Sequence, residues 1–272
     1  MAHWKNKIVV VTGGSEGLGK TLGFEFASQG AQTVLLARNE EKLIAAVESA
    51  KSSGVAKGNS IDYVVADVTV DSEVESAVAQ IIAKYQSIDV WVNNVGKSTR
   101  IRFEDCGVEE YKSLLEVNFY SAVRCTLAVL EHLSATSGQV VNIGSLASKT
   151  GWPNVAPYSV SKHALSAFCH QLRLEGPPNV NCLHVCTGPV KRDDAGTRYQ
   201  SAATTDEVAQ QPGAGVKLKG IDPDWLAAKI VRSCEKRKTE LVIPFKSRIL
   251  FAIAQLSPTL GDFILRKSSK KS

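Results

Sequence analysis

Tyr158-Ser159-Val160-Ser161-Lys162 sets a phenol and an ammonium four residues apart, a spacing that puts two side chains on one helix face. A free tyrosine titrates near 10, too high for a base at neutral pH. A neighbouring cation stabilises the phenolate and draws that value toward the working range. Thirteen residues earlier, Ser145 closes an apolar run in Asn142-Ile143-Gly144-Ser145-Leu146-Ala147-Ser148. A hydroxyl at a strand end can hydrogen-bond an oxygen on which charge develops. Together the three groups are equipped for proton transfer to or from a carbonyl or alcohol oxygen. Tyr-x-x-x-Lys alone arises readily by chance in a chain of this size. Ser145 gives it weight.

Such a proton transfer is half of a reaction, and the other half needs a hydride carrier. Thr12-Gly13-Gly14-Ser15-Glu16-Gly17-Leu18-Gly19 follows an apolar run and opens a helical pattern. Residues without a Cβ allow a tight strand-to-helix turn, and the helix N-terminus then offers free N–H groups to a pyrophosphate. Gly13, Ser15, Gly17, Leu18 and Gly19 are therefore candidate dinucleotide contacts. At the end of the second strand pattern, where an acidic residue would bind a ribose 2′-hydroxyl, stands Ala37-Arg38-Asn39. A guanidinium pairs with a phosphate through two hydrogen bonds, so Arg38 points to NADP(H), with NAD(H) the alternative; a solvated strand-end arginine would look the same. Asp67-Val68 and Asn93-Asn94-Val95-Gly96 follow the third and fourth strand patterns. Each falls where open α/β sheets bind ligands.

The spacing Gly-x-x-x-Gly-x-Gly resembles the glycine motif of the short-chain dehydrogenase/reductase family, and five further segments match that family in order over about residues 5–243. The resemblance implies an oxidoreductase in which Tyr158 is the acid/base, Ser145 holds the substrate oxygen, and Lys162 lowers the tyrosine pKa and orients the ribose. It makes Asn118, in Leu115-Glu116-Val117-Asn118, the holder of a water beside Lys162. It puts Asp67 and Val68 at the adenine, Asn94 and Gly96 beside the cofactor, and Gly188 and Val190 of Thr187-Gly188-Pro189-Val190 at the nicotinamide. The chain departs from the pattern at Glu16, where many NADP-binding members carry a base, at Thr187 in place of Pro, and at Arg192 in place of Thr. A different class of function for the same fold is a non-catalytic NAD(P)-binding regulator or scaffold, for which Ser145, Tyr158, Lys162 and Asn118 would be dispensable.

Short β-branched runs alternate with helical patterns and must position these groups. Strands are expected at 7–12, 32–37, 61–66, 89–93, 138–144, 181–186 and 241–243, and helices at 17–29, 40–53, 72–85, 108–134, 157–175 and 222–236. Runs such as Ile8-Val9-Val10-Val11 are apolar on successive residues, as strands buried on both faces are. The alternation predicts an α/β fold. With the resemblance it becomes a single-domain Rossmann fold, a doubly wound, mostly parallel seven-stranded sheet with helices on both faces. Residues 1–246 would form the nucleotide-binding and catalytic domain. Residues 190–220 lack a period and would form a substrate lid.

The net charge of +5 is partly a Lys270-Lys271 tail, which argues against nucleic-acid binding. The six cysteines form no CxxC pair and the five histidines show no metal-ligand spacing; no metal and a reducing cytoplasm are expected. The segment 247–272 is an apolar helical extension with a basic tail, interrupted by Pro258. Ile249, Ile253 and Leu256 fall on one face, which suits a homo-oligomer contact, a cover over the cleft, or shallow membrane contact through 247–268. The tail resembles those of the 11β-hydroxysteroid dehydrogenase-like branch, which implies a small-molecule carbonyl or alcohol substrate of apolar character.

Overall fold

A computed structural model describes residues 3–55, 60–191 and 220–269. Seven parallel strands form one sheet in the order β3-β2-β1-β4-β5-β6-β7. They are β1 (Ile8–Thr12), β2 (Gln32–Ala37), β3 (Ile61–Val65), β4 (Val90–Asn93), β5 (Gln139–Ile143), β6 (Asn181–Thr187) and β7 (Glu240–Ile243). The order reverses between β1 and β4, and that reversal opens a crevice at the carboxyl ends of these strands.

Both faces are covered. Val9 and Val11 of β1 pack with Leu22 and Phe26 of α1 (Gly17–Ser28) and with Leu226 and Ile230 of a later helix, Pro223–Glu235. Val10 points the other way, toward Val74, Val78 and Ile81 of α3 (Asp71–Tyr85) and Val129 and Leu133 of α5 (Ser121–Thr136). The uninterrupted apolar run of β1 is thus explained by burial on two sides. α2 (Glu40–Ser52) packs on β2 and β3. It starts at Asn39, whose side-chain oxygen accepts from the Lys42 N–H at 2.8 Å, a cap that satisfies an orphan donor.

The helix expected over 108–134 is not continuous. α4 (Val108–Leu115) passes through a π-helical turn (Glu116–Tyr120) into α5. Such a turn inserts a residue and re-aims the side chains on either side of it. Asn118 sits inside it and is buried. The rod 108–136 is long and apolar enough to cross a bilayer, but Cys125, Val129 and Leu133 bury one face of it against the sheet. It is a core helix.

α6 (Ala156–Glu175) carries Tyr158 in its first turn, and α7 (Pro223–Glu235) follows β6. The expected lid falls outside the described residues apart from its ends, which are joined: Lys191 N–H donates to Ile221 O and Ile221 N–H to Pro189 O, both at 2.8 Å. After β7 the chain forms a hairpin of α8 (Ser247–Leu256) and α9 (Pro258–Ser269). Pro258 sits at the start of the second helix, where a missing N–H costs nothing.

Candidate functional site

The glycine loop lies where β1 runs into α1. Gly13 has φ +63, and a Cβ on it would meet the Asn94 amide nitrogen at 3.0 Å. A Cβ on Gly19 would overlap the Gly13 carbonyl oxygen. These positions tolerate only glycine. Asn94 ties the loop to β4: its N–H donates to Thr12 Oγ1 at 3.0 Å and its side-chain amide to Thr12 O at 3.1 Å. Glu16 has φ −155 at the head of α1 and makes no side-chain cap, so the helix N-terminus remains an anion-binding end. A backbone cradle with no room for Cβ atoms, facing that end, fits a dinucleotide.

Arg38 closes β2 with its side chain largely exposed, and Nη1 lies 3.4 Å from Asp67 Oδ2. Burial raises the Asp67 pKa. Hydrogen bonds from the Thr69 N–H and hydroxyl, with Arg38, outweigh that and hold the carboxyl below its usual range. Val68 is buried under α3, which confines any cofactor contact there to its backbone. Glu16, which looked unfavourable beside a 2′-phosphate, pairs with Lys42 of α2 at 2.8 Å. That partner is 26 residues away and invisible to motif spacing.

At the other side of the crevice, Lys162 runs from α6 into the protein. Its Nζ donates to the Ile143 carbonyl at 2.8 Å and lies 6.0 Å from the Tyr158 ring centroid. A Cβ on Gly96 would be 3.5 Å from that nitrogen and 3.3 Å from Asn118 Oδ1. Gly96 therefore lets ammonium and carboxamide converge. Burial pushes the Lys162 pKa down to about 8. The Asn118 side chain is fully used: Oδ1 accepts from the Lys97 N–H at 2.7 Å, and Nδ2 donates to Lys97 O and to Ser161 Oγ, both at 2.9 Å. Ser161 Oγ donates in turn to the Tyr158 carbonyl at 2.8 Å. Sequence reasoning missed Ser161, whose place one residue before Lys162 was the available signal.

Two residues beyond the carbonyl that holds Lys162, Ser145 heads a short 3-10 turn (Leu146–Ser148) packed on α6. Its Oγ accepts from the Ala147 N–H at 3.1 Å, and Ser148 Oγ accepts from the Ser145 N–H at 3.1 Å. Ser148 is buried, whereas Ser145 and Tyr158 are half-buried. Gly188 N–H donates to Ile243 O at 2.9 Å, fixing the start of 188–190 against β7.

The structure also gathers His184, Cys186 and Glu240, whose ligand atoms lie within 4.8 Å of one another. Histidine spacing gave no sign of this because Glu240 arrives in register from β7. Both Glu240 oxygens are engaged, by Lys149 at 2.8 Å and Arg248 at 3.1 Å. Burial, with repulsion from Lys149, Lys162 and Arg173, pushes His184 down to about 3. The one carboxylate of the cluster is already paired with two cations, and further cations act on His184, an unfavourable place for a metal ion.

The family model described as short chain dehydrogenase matches residues 7–202. A dehydrogenase/reductase SDR family protein 7-like of Dictyostelium discoideum is 28% identical over all of this chain and 84% of its own length. An 11-beta-hydroxysteroid dehydrogenase-like protein (4A) of Arabidopsis thaliana is 27% identical over 93% of this chain and 82% of its own. Among solved structures, an alcohol dehydrogenase from Thermococcus sibiricus complexed with 5-hydroxy-NADP superposes with a TM-score of 0.72. Its identity is 25%, over 87% of this chain and 95% of that one.

Proposed function

The chain belongs to the short-chain dehydrogenase/reductase family of oxidoreductases, and on that premise we propose that it interconverts a lipophilic ketone and its secondary alcohol with NADP(H). The observation that carries this reading is the buried Lys162 ammonium, pinned by Ile143 O and converging with Asn118 at Gly96, beside the Tyr158 ring. The loop 13–19, Arg38, Asp67, Asn94, Gly96 and the backbone of 188–190 would hold the dinucleotide, which would supply or accept the hydride at the carbinol carbon.

In reduction Tyr158 gives its phenolic proton to the carbonyl oxygen; in oxidation the phenolate takes the hydroxyl proton. Ser145 donates a hydrogen bond to that oxygen, which strengthens as negative charge develops there. The Lys162 cation lowers the cost of the phenolate. Asn118 is a positioning residue: its amide is committed to Lys97 and Ser161, leaving its backbone to hold a relay water.

Arg38 supports NADP over NAD, and the Lys42 partner removes most of the objection raised by Glu16. The name of the Arabidopsis relative and the exposed apolar hairpin α8–α9 support a lipophilic substrate met at a membrane surface, with the protein otherwise cytoplasmic and homo-oligomeric. Arg38→Ala tests the cofactor assignment. Charged hydrogen bonds are worth about 1.5–3 kcal/mol, so KM for NADPH should rise roughly 10- to 100-fold while KM for NADH holds. Equal changes for both would remove the NADP assignment.

A further inference from the structure

A second charged feature lies away from the hydride site, at the amino-terminal end of β7. A shallow, open cavity of about 480 Å³ is lined by Arg173, Arg237, Lys238, Thr239, Glu240 and Arg248. Arg237 is locked in place, donating to the carbonyls of Ser137 and Asn179 at 2.8 Å. Glu240 is the one acid among the described residues of this wall, and Lys149 and Arg248 already neutralise it. Four lining cations around one already paired carboxylate make a field that attracts anions. The proton and hydride chemistry above has no use for it.

The cavity adjoins an apolar surface. The Arg248 guanidinium lies 5.6 Å from the Phe245 ring centroid. Phe245, Ile249, Leu256, Leu260 and Phe263 are exposed, Leu256 at 88%. Gly261 packs directly on Ala254, so these side chains stand on a closed helical hairpin and not on a frayed end. Five large apolar side chains exposed within one short stretch of chain mark an interaction surface. Apolar hairpin and cationic cavity share the Phe245–Arg248 pair, which is the pairing a bilayer interface demands: acyl boundary for one, headgroup phosphate for the other.

We propose that the Arg173–Lys238–Arg248 cavity binds the phosphate headgroup of an anionic lipid when the α8–α9 hairpin enters the bilayer interface. This rests on the membrane contact suggested above and adds a lipid selectivity to it. Each Lys or Arg near an anionic surface strengthens binding roughly fivefold.

Co-sedimentation of the full chain is measured with vesicles of phosphatidylcholine alone and of phosphatidylcholine mixed with phosphatidylglycerol. The wild type is compared with Arg173→Gln/Lys238→Gln and with Ile249→Ser/Leu256→Ser. All four positions are at the surface, and circular dichroism confirms the fold. The proposal expects binding to the mixed vesicles that falls roughly 25-fold in the charge variant, with weak binding to phosphatidylcholine unchanged. Equal binding to both vesicles by wild type and charge variant overturns the headgroup site while the membrane contact stands. Binding to neither vesicle defeats the membrane contact and the site together. In that case a thermal shift by inorganic phosphate, lost in the charge variant, would reassign the cavity to a soluble anion.

Discussion

Lys162→Met should make the cofactor-free protein more stable and inactive. Methionine matches the unbranched aliphatic stem of lysine, so the packing around residue 162 is kept. What disappears is a buried charge. Burial lowers the Lys162 pKa from 10.5 to about 8, which corresponds to about 3 kcal/mol held against the folded state wherever the lysine is protonated in both states. The substitution also leaves the Ile143 carbonyl without its donor, at a cost of about 1 kcal/mol. The net gain is about 2 kcal/mol at pH 7, or roughly 4 °C in Tm for a chain of this size. The pH dependence has a definite sign. Between pH 8 and 10.5 the unfolded chain holds the lysine proton and the folded chain releases it, so wild-type stability rises relative to the variant and the gap closes. Urea unfolding of both proteins at pH 7 and pH 10 reads this directly. A variant less stable than wild type at pH 7, or a gap that ignores pH, would refute the claim that Lys162 is a charge buried at the expense of stability.

Gly19→Ala would drive a methyl group into the Gly13 carbonyl, and should cost about 1–3 kcal/mol and weaken NADPH binding by more than tenfold in a fluorescence titration. Wild-type values for both would mean the loop is not closely packed. Asn118→Ala removes the hydrogen bonds that hold Lys97 to the π-helical turn, with an expected loss of about 2 kcal/mol. Because the residue acts through others, kcat should fall more than KM changes. An alanine variant that keeps wild-type stability and kcat would leave Asn118 without a positioning role.

Much of the fold was legible because its strands are buried on both faces. Val9, Val10 and Val11 need no alternation when α1 and α7 cover one side and α3 and α5 the other. The glycine loop was legible because Gly13 and Gly19 answer to local sterics. The π-helical turn was not, since Asn118 within it bonds Lys97 and Ser161, which are distant in sequence, and the apolar period of 108–134 continues through it. The Glu16–Lys42 pair, the His184–Cys186–Glu240 cluster and the cavity at β7 were hidden for the same reason. Each joins residues brought together only by the winding of the sheet. The C-terminal extension was read as helical with a break at Pro258; its closure into a hairpin depends on Gly261 meeting Ala254, which no period reveals.

Proton transfer by the Tyr158 hydroxyl is the centre of the account, and Tyr158→Phe isolates it by deleting one oxygen. NADPH affinity, read by fluorescence titration, should stay within a few-fold of wild type. NADPH oxidation with whichever ketone of a steroid, sphingoid and short-chain panel the wild type reduces should fall by about 10²–10⁴. Unaltered turnover with that ketone would contradict the assignment of Tyr158 outright.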